Sequence, residues 1–128
     1  MDILDKLKKA KVKASGSFSV RLGDNGGFDA VLVNLVPTGD GGGILLGANG
    51  SDTVMIGHPE LAAGQHTVQL KEGDARTSVR GISYVAESGQ VEMDVNSPLT
   101  SAKGEYRFKT KDGIEVSGEF NINAVVIA

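Results

Sequence analysis

The sequence lacks cysteine and tryptophan, and aromatic residues of any kind are scarce. Without cysteine the chain forms no disulfide, no thiolate metal site, no cysteine nucleophile and no thiol-linked lipid. Aromatic residues make up 5% of the 128 residues, while hydrophobic residues in total reach 40%. That share suffices for a core, and the core is expected to be mainly aliphatic. We therefore expect one soluble domain, which at this length buries roughly two thirds of its unfolded surface.

Long apolar stretches are also missing. No segment approaches the ~20 apolar residues of a transmembrane helix, and the N-terminus lacks the apolar stretch of about 7–15 residues found in a signal peptide. We therefore expect no transmembrane segment, and a cytoplasmic location if the sequence is complete as given. The formal net charge is −3. This slight acidity and the few aromatic residues argue against a nucleic-acid partner.

The one region of positive charge is the N-terminus. Ile3, Leu4 and Leu7 recur at helical spacing, which predicts a short amphipathic helix over residues 2–11. We accordingly divide the chain into an N-terminal helical segment, residues 1–13, and a β-domain, residues 14–128. The helix either caps an open end of the β-domain or forms an interaction surface for an anionic membrane or an acidic partner. The lysines of that surface are Lys6, Lys8, Lys9, Lys11 and Lys13.

The rest of the chain alternates between short apolar segments and clusters of Gly, Asn, Asp and Ser, which is typical of a β-sandwich or barrel. The pattern predicts an all-β, antiparallel sandwich or flattened barrel of about eight to nine strands. The predicted spans are 16–22, 28–36, 43–48, 52–56, 65–71, 77–86, 90–95, 104–110 and 114–125. Residues 59–64 are predicted to make one helical turn, because proline suits its start and glycine its end.

Two hairpins follow from side-chain registers. A three-residue loop, Lys111-Asp112-Gly113 with a left-handed glycine, pairs Phe108 with Val116 and Lys109 with Glu115, so apolar and charged side chains separate onto opposite faces. A two-residue Ser88-Gly89 turn predicts a second hairpin. It places Tyr84 opposite Met93 and Ile82 opposite Val95. The predicted core comprises Phe18, Val20, Phe28, Tyr106, Phe108, Val116, Phe120 and Ile122.

The glycine-rich stretch over residues 38–52 is the first candidate for a ligand loop. A phosphate-binding loop needs Lys and Ser or Thr after its last glycine, whereas Gly43 is followed by an apolar strand signal. Asp40, Asn49 and Asp52 offer oxygen donors for calcium, but their spacing differs from that of an EF-hand loop. We interpret the stretch as a connection between strands.

Other catalytic and metal patterns are weak. His58 and His66 are the only histidines, and their spacing matches no recognised zinc site. The string from Gly81 to Val85 lacks the second glycine of a nucleophile elbow. Two carboxylate pairs share a strand face, Glu92 with Asp94 and Glu115 with Glu119, and a solvated sheet face explains both pairs. We predict no catalytic residues, no metal and no cofactor.

From Gly16 onward, the order of features resembles small β-domains of uncharacterised bacterial secreted proteins and lipoproteins. The residues that carry the resemblance are Gly16-Ser17-Phe18, Gly27-Phe28-Asp29-Ala30, Gly81-Ile82-Ser83-Tyr84, Ser88-Gly89-Gln90-Val91, Gly104-Glu105-Tyr106-Arg107-Phe108 and Val116-Ser117-Gly118-Glu119-Phe120. The resemblance implies a β-sandwich or barrel and transfers no active residues. The chain differs from those lipoproteins in lacking the cysteine that carries their lipid.

Three functions remain open at this point. The first is a non-catalytic binding or interaction module that meets a protein partner, or a further copy of itself in a homo-oligomer, through a strand edge, the glycine-rich loops or the N-terminal helix. The second is a carrier with a small apolar ligand inside a β-barrel. The third is a hydrolase without a recognisable motif.

Overall fold

The computed structural model describes residues 12–23, 26–37, 42–95 and 101–126, and these residues form strands and connections without any helix. The described residues form eleven strands, where the sequence predicted about nine for the chain. They are β1 (Val12–Leu22), β2 (Gly27–Asp29), β3 (Leu32–Pro37), β4 (Gly43–Asn49), β5 (Asp52–His58), β6 (Gly64–Leu70), β7 (Ala75–Val79), β8 (Ile82–Val85), β9 (Ser88–Val95), β10 (Ser101–Lys109) and β11 (Glu115–Val126).

The strands form two antiparallel sheets. The larger sheet has six strands in the order β2-β1-β11-β10-β9-β6, and the smaller has five in the order β3-β4-β5-β7-β8. Strands of one sheet do not pair with strands of the other within the described residues, so the two sheets remain open. The sandwich alternative is therefore confirmed, and the closed-barrel alternative is wrong.

The chain passes from the larger to the smaller sheet within the predicted strand 28–36, and it returns to the larger sheet after β8. After β2, the Ala30 amide donates to the Phe18 carbonyl in the larger sheet (2.8 Å), and the Val31 amide donates to the Ala48 carbonyl in the smaller one (2.8 Å). After β8, the Glu87 amide donates to the Lys109 carbonyl (2.9 Å). The first crossing divides the predicted strand 28–36 into β2 and β3. The second additional strand arises because a turn at Arg80-Gly81 divides the predicted strand 77–86 into β7 and β8.

The predicted C-terminal hairpin is confirmed. Phe108 lies opposite Val116 and Lys109 opposite Glu115. Gly113 has a left-handed φ of 82°, and the Thr110 amide donates to the Ile114 carbonyl (3.0 Å) to close the loop. The separation of apolar from charged side chains thus fixed this register.

The predicted Ser88-Gly89 hairpin is wrong, because β8 and β9 belong to different sheets. The tight turn lies earlier, at Arg80-Gly81, where both residues have positive φ (50° and 81°) as a two-residue hairpin turn of type I′ requires. This turn pairs Val79 with Ile82 and joins β7 to β8.

The predicted core is confirmed, since all eight of its residues are buried between the sheets. Three aromatic contacts hold its centre. The Phe18 ring lies edge-on to Tyr106 (centroids 5.7 Å apart) and tilted against Phe120 (5.6 Å), while Tyr106 stacks on Phe108 (6.3 Å). Aliphatic side chains from both sheets, such as Leu45 and Ile56, surround these rings and are fully buried.

Glycines oppose the large rings on the inner face of the six-stranded sheet. Gly104 lies opposite Phe120, and Gly118 lies opposite Tyr106. A Cβ atom added at Gly118 would stand 1.9 Å from the Ser19 carbonyl oxygen, and one at Gly104 would stand 2.0 Å from that of Glu92. The neighbouring strands approach these positions too closely for any side chain.

The connection between β5 and β6 differs from its prediction. Residues 59–63 form an irregular connection with a bend at Ala63, so the predicted helical turn is wrong.

The predicted helix over residues 2–11 lies outside the described residues. Strand β1 begins at Val12, which pairs with Val126, so the predicted boundary at residue 13 falls within the first strand. No helix in the described residues has the length and apolar character needed to cross a membrane.

Candidate functional site

The edges of the two sheets differ in length and composition. β2 has three residues and includes Asp29, β3 ends at Pro37, and β8 has four residues. β1 extends past β2 through its first half, which includes Lys13. β6, by contrast, is a seven-residue edge strand with the sequence GQHTVQL.

β6 contains no charged residue and no proline. Edge strands of natural sheets are usually protected by charges, especially lysine, by proline, by bulges or by short length, because their free backbone groups pair readily with other strands. In the part of the chain that the structure describes, β6 pairs with β9 on one side and with no strand on the other. β6 is therefore the edge most open to strand addition.

A groove of about 790 Å³ runs beside β6. Its lining includes Val68 of β6 and, from the smaller sheet, Ile44 and Met55. Leu61, from the connection before β6, contributes a further apolar side chain and packs against the core. Lys71 also lines the groove, so its lining combines apolar and charged side chains.

The groove lies where β5 separates from β7. Pairing between these strands ends at Ile56 and Ala75, and the next contact is a single hydrogen bond from the Gly57 amide to the Asp74 carbonyl (2.8 Å). Asp74 itself is held by the Lys71 amide, which donates to its Oδ2 (2.8 Å). The turn between β6 and β7 thus forms one end of the groove.

His58 lines the same groove and carries an unpartnered atom. Its side chain is 9% exposed, and its Nδ1 donates to the Pro59 carbonyl (2.8 Å), so Nδ1 holds a proton. Its Nε2 is buried and has no hydrogen-bond partner among the described residues. Buried polar atoms are almost always hydrogen-bonded, so this nitrogen is an exception.

His66, the second histidine, does not join His58. Its Nε2 bonds to the Ala62 carbonyl (2.6 Å), which ties β6 to the connection before it. Among the described residues, no three His, Asp or Glu side chains come together in an arrangement that would hold a metal ion.

The outer face of the six-stranded sheet is polar and carries a row of three acids. Glu105 on β10 lies opposite Glu119 on β11 and also opposite Glu92 on β9. All three side chains are exposed. The two carboxylate pairs predicted from the sequence, one on β9 and one on β11, both face this side of the sheet. Glu105 on β10 lies between Glu92 of the first pair and Glu119 of the second.

A shallow groove of about 530 Å³ lies over this row, where β1 meets β11. The Ser19 hydroxyl enters the ladder there, accepting from the Glu119 amide (3.0 Å) and donating to the Glu119 carbonyl (3.3 Å). From the other face, the Tyr106 hydroxyl donates to the Ser19 carbonyl (2.7 Å). Burial raises the pKa of Tyr106 above its ordinary value, and the positive charge of Arg21 offsets only part of that increase. The Ser19 and Tyr106 hydroxyls thus both have hydrogen-bond partners within the six-stranded sheet and stabilise it.

Asn49 and Asp52, two of the candidate calcium ligands, have side chains that hydrogen-bond to the backbone of other strands and turns. The Asn49 side chain donates to the Asp29 carbonyl (3.0 Å), and the Asp52 carboxylate accepts from the Arg80 amide (2.8 Å). Asp40 lies outside the described residues. Ser83, from the string examined for a nucleophile elbow, is exposed on the edge strand β8.

The predicted lysine surface cannot be assembled from the described residues. Lys6, Lys8, Lys9 and Lys11 lie outside them, and Lys13 is placed only through its backbone, opposite Val125 in β1 and β11. The β6 groove was not predicted. Its one signal in the sequence was the absence of charge over residues 64–70, and that signal has meaning only once the strand is known to lie at an edge.

Comparison with known proteins gives no relative from which a role could be transferred. No protein-family model, no curated protein and no solved structure matches the chain. The resemblance to small β-domains of secreted proteins and lipoproteins stays a prediction. The fold and the surface beside β6 are therefore the features from which a function can be inferred.

Proposed function

We propose that this protein is a non-catalytic binding module that holds an extended polypeptide segment along β6. The observation that carries the proposal is the combination of a seven-residue, uncharged edge strand with a partly apolar groove beside it. Strand addition supplies main-chain hydrogen bonds for affinity, and pockets for alternate side chains supply selectivity.

The geometry defines what such a segment would contact. Alternate side chains of an added strand point to opposite faces of the sheet. Those on the inner side would meet Val68 and Leu61, which pack against the core, so apolar side chains fit there. Those on the outer side would lie beside Thr67 and Gln69 and would stay in contact with water. The favoured segment is therefore extended, with apolar residues on its inner side alternating with polar residues on its outer side.

Selection from a library of random twelve-residue peptides tests the proposal, with the full chain immobilised at low density so that copies do not meet. Selected peptides should slow the hydrogen exchange of backbone amides in residues 64–70. Peptides that protect a different region, or a library that yields no binder, would contradict the proposal.

A pair of valines gives a matched control. Val68→Ala removes two methyl groups from the groove and should weaken peptide binding about tenfold, at ~0.8 kcal/mol per buried carbon. Val85→Ala makes the same change on β8, the edge strand of the other sheet, and should leave binding unchanged. Equal losses in both variants would show a general effect on stability. The apolar-ligand carrier and the hydrolase stay predictions.

A further inference from the structure

The edge strand β6 is compatible with pairing to itself. An antiparallel pair formed by two copies of one strand has a two-fold axis, and an axis at Thr67 pairs all seven residues because Thr67 is the centre of the strand. Gln65 then faces Gln69 of the second copy, and His66 faces Val68. None of these positions carries a formal charge at neutral pH with histidine neutral, so like charges do not oppose one another along the strand.

We propose that β6 pairs with β6 of a second copy of this chain, joining two six-stranded sheets into one continuous sheet. This inference rests on the proposed function, of which it names the partner. Thr67 pairs with Thr67 across the axis, and threonine pairs are among the favourable cross-strand contacts. The charged residues that follow β6 are also accommodated, since Lys71 and Glu72 fall opposite Ala63 and Ala62 rather than opposite like charges.

Burial on the inner side gives the pairing a driving force. Val68 is half-buried in the single chain, and Leu61 lies beside it in the groove. A second β6 would cover this apolar surface and would also pair the free backbone groups of the edge. An edge strand of this length without charge is a recognised route to association between chains, and here the strand matches its own copy in charge and length.

The absence of cysteine from the chain makes the register directly testable. In an antiparallel pair, opposed Cα atoms lie about 4.5–5.5 Å apart, within the range that a disulfide spans. Under a mild thiol–disulfide buffer, Thr67→Cys should cross-link two chains with a yield about tenfold above that of Ser83→Cys, because paired thiols have a high effective concentration. Ser83 is the control, being exposed on the edge of the other sheet.

A second pair of variants tests the same register without changing the central residue. Gln65→Cys and Gln69→Cys should each fail to cross-link alone, since like positions would lie roughly 13 Å apart at the rise of a strand. Mixed together, the two variants should cross-link. Light scattering of the wild-type chain should give a mass twice that of one chain.

Two results would overturn the inference. One is a wild-type chain that stays monomeric as its concentration rises toward the millimolar range typical of weak association. The other is a dimer that cross-links as well through Ser83→Cys as through Thr67→Cys, or in which the mixed glutamine variants do not link. A monomer whose β6 amides are still protected by selected peptides would retain the proposed function and remove only the second copy as its partner.

Discussion

Tyr106→Phe isolates one buried hydroxyl and should alter stability differently at neutral and alkaline pH. The hydroxyl donates to the Ser19 carbonyl at 2.7 Å, and the ring is 3% exposed in the core. Its removal leaves that carbonyl without its donor and should cost about 1–2 kcal/mol at pH 7. For a domain of this size the melting temperature should fall by roughly 3–5 °C per kcal/mol.

The direction of the pKa shift of Tyr106 predicts the alkaline behaviour. Burial raises the pKa of this phenol in the folded chain above its value of about 10 in the unfolded chain. The stability contributed by a group with a raised pKa is fully present below its pKa in the unfolded chain. That stability is lost as the pH rises toward its pKa in the folded chain. Above pH ~10 the wild-type protein should therefore lose up to about 1.4 kcal/mol of stability per pH unit through this group.

Urea unfolding between pH 7 and pH 11 measures both effects. The free energies of unfolding of wild type and Tyr106→Phe should converge above pH ~10, because the variant has lost the group that destabilises the fold there. The only other tyrosine is Tyr84, so Tyr84→Phe allows phenolate absorbance to report Tyr106 alone. That absorbance should rise together with unfolding. Parallel stability curves, or ionisation well before unfolding, would refute the reasoning.

Three further substitutions test the core and the polar face. Phe120→Ala should cost about 3–5 kcal/mol in urea unfolding, because the ring is buried against Phe18, and wild-type stability would refute its burial. Gly118→Ala should lower the free energy of unfolding by about 1–3 kcal/mol or more. Gly57→Ala, where the new Cβ would lie 3.5 Å from its nearest atom, should change stability much less. Equal effects of the two substitutions would refute the close approach of Ser19 to Gly118. Glu105→Gln should stabilise the protein by about 0.2–1 kcal/mol at low salt, because it separates two opposed acids, and that gain should shrink at high salt.

Local patterns predicted the C-terminal hairpin correctly because one register alone separates its apolar and charged side chains. The turn after Thr110 includes a glycine where a left-handed residue is needed, and both signals lie within about a dozen residues. The core followed from the same alternation. These features depend on neighbours in sequence.

The crossings between sheets were missed because their determinants are distant in sequence. Ala30 pairs with Phe18 and Val31 with Ala48, so the break between β2 and β3 depends on two other strands. The same limit applies to the Ser88-Gly89 turn, whose glycine lies opposite Phe108 in β10 rather than in a hairpin.

The candidate surface beside β6 could not be predicted at all. It requires the knowledge that β6 ends the larger sheet and that β5 separates from β7 beside it. The unpartnered Nε2 of His58 is equally invisible in sequence, because it results from what the fold does not place nearby. Residue types alone had indicated only a histidine in a turn.

The pairing of β1 with β11 has a consequence for the order in which the chain folds. Val12 lies opposite Val126, so the first described strand of the larger sheet completes its main pairing only with the last. Contacts between residues so distant in sequence slow folding, and mainly antiparallel domains with such contacts fold in milliseconds to seconds. During synthesis, β1 therefore emerges long before its principal partner β11, whereas β3, β4 and β5 are adjacent in sequence and pair with one another without waiting for a distant strand.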